Sequence, residues 1–212
     1  MVGTYGNEGE YMKRRDPHQW IKDRHRDKYF QQSKKDGFRA RSCYKLLEIQ
    51  EKYRLIGQNS KVLDLGAAPG AWLQVATRLT NSVIKAVDLL EIEPIKNVQT
   101  LTADIFSSEA TEFLAEDNYD VILSDMAPNC TGQAAHDHLV IMNLVWKVLE
   151  LSKKHLVPGG NMCVKIFDGG HFQEFLVEWR KFFTQTYRFK PKSSANDSCE
   201  FYLIGLGYKK TD

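Results

Sequence analysis

The sequence predicts an α/β protein: a mostly parallel sheet with helices on both faces and an antiparallel pair at one edge. Three observations predict it. Apolar, β-branched runs alternate along the chain with stretches of helical spacing. The first run leads through a glycine-bearing turn into a helix. The last two runs have no helix between them, so they must pair antiparallel.

The elements follow in order. Residues 18–32 read as a basic helix of low hydrophobicity. Residues 41–54 form an amphipathic helix, with Leu46, Leu47, Ile49 and Tyr53 on its apolar side and Gly57 as a stop signal. Strands are expected at 61–65, 83–88 and, more weakly, 98–102, with a helix over 71–79 after the first. A short helix over 108–115 takes Ser107 or Ser108 as its cap. Residues 119–124 are a strong strand ending in polar residues, and 136–155 the longest helix, stopped by Val157, Pro158, Gly159 and Gly160. A strand at 161–167, a helix at 172–183 and strands at 186–190 and 200–205 complete a seven-stranded set. In open α/β sheets ligands sit beyond the carboxyl ends of the strands, which directs attention there.

A chain of 212 residues fits one domain with a sizeable core. Without repeats or low-complexity linkers, it divides into a basic N-terminal extension over 1–36 and one domain over 37–212. Hydrophobic residues at 42% and charged ones at 26% are ordinary for a soluble globular protein. No apolar run approaches the roughly 18 residues of a membrane span. Residues 1–10 are polar and glycine-rich, unlike a secretory signal, and their acidic residues make a poor mitochondrial presequence. A cytoplasmic monomer is the expectation, with mitochondrial residence as the alternative. Cys43, Cys130, Cys163 and Cys199 are widely spaced without C-x-x-C pairing, which argues against zinc, and no metal site is expected.

The net charge of +2 is uninformative, but its distribution is not. Lys13, Arg14, Arg15, Lys22, Arg24, Arg26, Lys28, Lys34 and Lys35 crowd one segment, followed by Arg39 and Arg41. Such a segment suits a phosphate backbone. Asp16, Asp23 and Asp27 interleave with it, so a solvated helix face remains open on charge alone.

The turn after the first strand reads Asp64-Leu-Gly-Ala-Ala-Pro-Gly70, with Ala71 and Trp72 following. Its Gly-x-x-x-Gly spacing is not the dinucleotide fingerprint, and no Gly-Lys-Ser/Thr follows to make a P-loop. The rigid ring of Pro69 suits a ligand without a pyrophosphate. Asp88 ends the second strand about 20 positions on, where a carboxylate accepts from ribose hydroxyls. Asp104 follows the third strand, where a carboxylate accepts from an adenine amino group. Each aspartate alone reads more readily as a cap or turn residue. Together with the glycine turn the two carboxylates describe an adenosine pocket without a phosphate site, and S-adenosylmethionine fits it.

Asp125 ends the fourth strand and points into the same crevice. Lys165 interrupts an otherwise apolar fifth strand, an expensive placement unless it is paired or functional. Glu200 opens the last strand, and Lys45 lies beside Leu46 and Leu47 on the second helix. A buried salt bridge accounts equally for Lys165 and Glu200. Taken singly, Lys45 reads as a surface lysine.

At this point the chain resembles the FtsJ/RrmJ family of ribosomal RNA 2′-O-ribose methyltransferases. The matching stretches are Gly37 to Leu46, Leu63 to Gly70, Val121 to Asn129, Pro158-Gly-Gly and Val164-Lys165, with Glu200 at the expected distance. The resemblance runs from about Trp20 to the C-terminus. It implies the Rossmann-like S-adenosylmethionine-dependent methyltransferase fold and a catalytic tetrad of Lys45, Asp125, Lys165 and Glu200, with Lys165 central. It also implies a cofactor site lined by Gly66, Ala68, Pro69, Gly70, Trp72, Asp88, Leu89, Asp104, Ile105 and Asp125. Ala71 departs from the second glycine of many bacterial members and is similar to mitochondrial-type ones, adding a methyl near the methionine end of the cofactor. The substrate implied is a uridine ribose in the A-loop of large-subunit rRNA, within the large ribosomal subunit. Lys34, Lys35, Arg39 and Arg41 are the expected phosphate contacts.

The chemistry agrees with these residue types. A ribose hydroxyl is a weak nucleophile and the sulfonium methyl is already activated, so the enzyme aligns atoms and manages one proton. A free lysine, with a pKa of about 10.4, is protonated at neutral pH. Lys165 therefore serves either as a base made so by its surroundings or as a charged stabiliser of the oxyanion. Competing readings are a tRNA or mRNA-cap 2′-O-methyltransferase and a non-catalytic ribosome-binding module of the same fold. The intact tetrad argues against the latter. A nicotinamide oxidoreductase fails for want of Gly-x-Gly-x-x-Gly.

Overall fold

The computed structural model describes residues 27–115, 117–127, 134–167, 169, 171–194 and 198–210, with backbone alone for 134–138. The basic stretch from Lys13 to Arg26, the start of the expected 18–32 helix, and Pro128, Asn129 and Cys130 lie outside the described residues.

Seven strands form one sheet: β1 (Val62–Leu65), β2 (Ile84–Asp88), β3 (Val98–Thr102), β4 (Tyr119–Ser124), β5 (Leu156–Phe167), β6 (Phe183–Phe189) and β7 (Glu200–Tyr208). Their spatial order is β3-β2-β1-β4-β5-β7-β6. β2, β1, β4 and β5 run parallel, while β7 runs antiparallel to both β5 and β6. The expected antiparallel pair is present, and the reversed strand is the inner one, inserted between β5 and the edge strand β6. The helices are α1 (Lys28–Lys35), α2 (Cys43–Tyr53), α3 (Ala71–Leu79), α4 (Ser108–Leu114), α5 (Ala134–His155) and α6 (Phe172–Phe182). No helix among the described residues is long and apolar enough to cross a membrane.

Period-two alternation divides the core into two layers. Leu63, Leu65, Ile122, Met162, Val164 and Ile166 face one layer with α5 and α6. There α6 buries Phe172, Phe175, Trp179 and Phe182, at the spacing of a single helical stripe. Val62, Val121, Leu123, Cys163, Tyr202 and Ile204 face the other layer, against Leu46 and Ile49 of α2 and Trp72 and Leu73 of α3. The same alternation assigns Asp64, Asp125, Lys165 and Glu200 to the α2 side. The site is thus assembled by strand parity before any side chain makes a contact.

β6 starts three residues earlier than expected and β7 ends three later, and three further boundaries differ for reasons visible in the residues. The chain leaves α2 at Arg54, which takes the left-handed conformation (φ 51°, ψ 48°) and bonds back to Gln50. Gly57 is not the stop; its N–H donates to Ser60 Oγ in the following turn. Arg54 fills the αL cap position that glycine usually occupies. Residues Val157 to Gly160 do not precede β5 but belong to it, because Leu156 already pairs with Tyr119 before a register shift. At the N-terminal side, α1 begins at Lys28, since Asp27 Oδ1 accepts from the amides of Tyr29 and Phe30 and caps it there. Ser107 is the cap of α4, accepting from Ala110 N.

Candidate active site

The β1–α3 turn is built by two glycines. Gly66 has φ +79°, and a Cβ there would lie 2.2 Å from Met126 Cγ. Gly70 has φ +100°, and a Cβ would meet Arg39 Nη1 at 2.8 Å. Both need the left-handed region and the missing side chain. Asp88 braces the turn: its Oδ2 accepts from Ala68 N at 2.8 Å and its Oδ1 from Leu90 N at 2.8 Å. Asp104 is exposed and accepts from Phe106 N through Oδ1. Each carboxylate oxygen has a second lone pair, so both aspartates keep acceptor capacity for a ligand. Leu89 is exposed at the mouth and Ile105 buried behind it.

Trp72 stands in the first turn of α3, directly after the glycine turn. The indole is buried, donates from Nε1 to Ser42 O at 2.9 Å, and packs on Tyr202 at 5.6 Å. Its position in the first turn of α3 leaves only the backbone to serve a ligand. The methyl of Ala71 is likewise wholly buried in the α2–α3 layer.

Beyond the ends of β4 and β5 the four tetrad side chains meet as two ion pairs. Lys165 Nζ lies 3.0 Å from Asp125 Oδ1 and donates to the Asp125 backbone carbonyl at 2.5 Å. Lys45 pairs with Glu200 Oε1, across 155 residues of sequence. Tyr202 joins the pairs: its hydroxyl donates to Asp125 Oδ1 at 2.6 Å, and Lys45 Nζ stands 5.8 Å from its ring centre. It lies opposite Lys165 in the β5–β7 register. Burial works against ionising Asp125. The Lys165 and Lys45 ammoniums and the two hydrogen bonds outweigh it and hold the carboxyl below its usual range. Tyr202 is pushed well above the ordinary phenol range by burial and by the Asp125 and Glu200 charges, so it stays a neutral donor.

Sequence reasoning missed three contributors. Tyr202 reads as one more apolar strand residue until its hydroxyl is placed. Ser194 Oγ donates to Glu200 Oε1 at 3.0 Å. Asp64 is buried beneath the turn, with no hydrogen-bond partner for either oxygen among the described residues. Burial, then Asp125 and Asp88, raises its pKa well above the usual value. Its place inside an apolar strand was the available signal, as it was for Lys165.

The expected phosphate contacts divide. Lys34 and Lys35 stand exposed on the last turn of α1. The half-buried Arg39 guanidinium is engaged at the protein surface, donating to the carbonyls of Pro69 at 3.0 Å, Glu93 at 2.8 Å and Pro94 at 3.3 Å. Arg41 pairs with Asp27 and donates to Ser193 O. Each guanidinium carries five N–H donors, so both arginines keep donors beyond these bonds.

Comparison with known proteins agrees with this geometry. The family model for the FtsJ-like methyltransferase matches residues 38–208. A protein of Acidiphilium cryptum, named ribosomal RNA large subunit methyltransferase E, is 42% identical over 193 residues, covering 90% of this chain and 86% of its own length. A Rickettsia bellii protein of the same name is 40% identical over 200 residues, with 90% and 88% covered. A crystal structure from Plasmodium falciparum, described as a ribosomal RNA methyltransferase, superposes with a TM-score of 0.71 at 28% identity, over 81% of this chain and 98% of its own. With the glycine turn, the paired lysines and the sheet order all in place, the chain belongs to the FtsJ-like methyltransferase family.

Proposed function

We propose that the protein transfers the methyl group of S-adenosylmethionine to a ribose 2′-hydroxyl in RNA, at a uridine in the A-loop of large-subunit rRNA. The observation that carries this reading is the convergence of Lys45–Glu200 and Lys165–Asp125 beside the glycine turn. The names of the relatives, which specify large-subunit ribosomal RNA, support the substrate.

The residues fit an adenosine ligand carrying no phosphate. The turn leaves no room for a Cβ at Gly66 or Gly70, and Asp88 and Asp104 present acceptors on its open side. In this reading Asp88 takes the ribose hydroxyls, Asp104 the adenine amino group, and Asp125 flanks the methionine end. When bound, S-adenosylmethionine supplies a methyl already activated by its sulfonium. The protein then has to align the target oxygen and manage its proton. Lys165, fixed by the Asp125 carboxylate and carbonyl, handles that proton or the developing negative charge. The Lys45–Glu200 pair orients the opposite wall, and Lys34 and Lys35 contact phosphates at the rim.

The test uses methyl-labelled cofactor and large ribosomal subunits from cells lacking their own enzyme of this kind, with Lys165→Ala alongside. Label in an alkali-resistant dinucleotide, absent with Lys165→Ala, is expected. Label on a base would overturn the reading.

A further inference from the structure

The turn before β7 is fastened through its backbone and the Ser194 hydroxyl, while the buried Ser193 hydroxyl has no hydrogen-bond partner among the described residues. Ser194 N donates to Pro191 O at 3.2 Å, closing the turn. Glu48 receives both leading amides, Lys192 N at 2.7 Å on one oxygen and Ser193 N at 2.9 Å on the other. Arg41 donates to Ser193 O. Ser193 and Ser194 are buried, at 0% and 6% exposure, although they lie in a loop. Loops are ordinarily exposed, because buried backbone needs partners; here Glu48 and Arg41 supply them.

What the turn presents is the Ser194 hydroxyl. It donates at 3.0 Å to Glu200 Oε1, the same oxygen that accepts from Lys45 Nζ. Glu48 lies three residues beyond Lys45, so one face of α2 carries both the lysine and the anchor of the turn. A carboxylate on a short side chain rotates readily when it has one partner. Two donors on one oxygen, each fixed to the same helix, leave it a single orientation.

We propose that Ser194 is a positioning residue of the methyl-transfer site, acting through Glu200, and that Glu48 and Arg41 fasten the turn that aims it. This rests on the reading of Lys45 and Glu200 as members of the reacting set. A hydrogen bond to a charged acceptor corresponds to roughly a ten- to hundredfold effect on a rate that depends on it.

The experiment is a double-mutant cycle of Ser194→Ala and Glu200→Gln, read by single-turnover methyl transfer to large subunits with enzyme in excess. Glu48→Gln runs beside it, and S-adenosylhomocysteine affinity is measured by calorimetry for every variant. In the wild-type background Ser194→Ala should slow transfer about ten- to hundredfold while KM and S-adenosylhomocysteine affinity stay within about twofold. In the Glu200→Gln background the same change should cost less than about twofold, because the partner is already lost. Glu48→Gln should reproduce part of the Ser194→Ala loss with the same unchanged affinity. Equal losses in both backgrounds, no loss in the wild type, or a parallel loss of S-adenosylhomocysteine affinity would each overturn the proposal. Wild-type protein that puts no label on ribose would instead overturn the functional reading on which it rests.

Discussion

Tyr202 and Asp125 share the shortest neutral-to-charged contact of the site, the phenol donating to Oδ1 at 2.6 Å from a strand 77 residues further along the chain. Asp125 is thereby held from two sides, by Tyr202 on β7 and by Lys165 on β5. Removing the hydroxyl with Tyr202→Phe leaves the ring packing on Trp72 but deletes one donor. The expected stability loss is about 1.5–3 kcal/mol by urea denaturation. Asp125 ionises below the ordinary carboxylate range despite its burial, because the lysine charges prevail. Its contribution to stability is complete above the unfolded value of about 3.9 and is lost as pH falls through the lower folded value. A carboxyl-carbon NMR titration should move that midpoint upward in Tyr202→Phe. An unmoved midpoint would show that the hydroxyl does not hold the charge.

Lys165 is a buried cation paired on two sides by Asp125. Lys165→Ala should lower methyl transfer about 10²- to 10⁴-fold, the range for loss of a positioned proton-transfer group. Affinity for S-adenosylhomocysteine should stay within a few fold. Transfer within tenfold of wild type would remove Lys165 from the centre of the chemistry.

Asp64 gives a pH signature of opposite sign. Its folded pKa is raised well above the usual value, by burial first and by Asp125 and Asp88 next. Above about pH 4 the unfolded chain releases this proton while the folded chain keeps it, so the group costs stability as pH rises. Asp64→Asn has no proton to release. The stability difference between variant and wild type should therefore shift in favour of Asn from pH 5 to pH 7.5, measured by urea unfolding. A difference independent of pH would mean that Asp64 is ionised in the folded protein.

Gly70 and Arg39 are mutually dependent. A Cβ at Gly70 would lie 2.8 Å from Arg39 Nη1 and 3.2 Å from Ile92 Cγ2, at a φ of +100°. Gly70→Ala should destabilise the protein by more than about 1 kcal/mol and weaken S-adenosylhomocysteine binding. Arg39→Ala should weaken the same binding by releasing the Pro69 and Glu93 carbonyls. If Arg39 instead neutralised a phosphate, the slope of log RNA affinity against log salt would fall by about one. That slope is expected to stay unchanged, and its fall would return Arg39 to the RNA surface.

The parts of this protein legible in its sequence are those that depend on near neighbours. Seven strand runs, the glycine turn, Asp88 and Asp104 at successive strand ends, and a lysine alone in an apolar strand are all local patterns. Residue parity even assigns Asp125, Lys165 and Glu200 to one face, because successive side chains on a strand point to opposite sides. Parity names a face but not a partner. The pairing of Lys45 with Glu200, the Tyr202 hydroxyl on Asp125 and the Ser194 hydroxyl on Glu200 required the packing of α2 over β7 and β5. Arg39 and Arg41 read as surface cations, since a run of basic residues carries no mark of which guanidiniums will find carbonyls. Only the folded chain gave these guanidiniums their carbonyl partners, because Pro69, Glu93 and Ser193 lie 30, 54 and 152 residues from them in sequence and the fold alone brings them within reach.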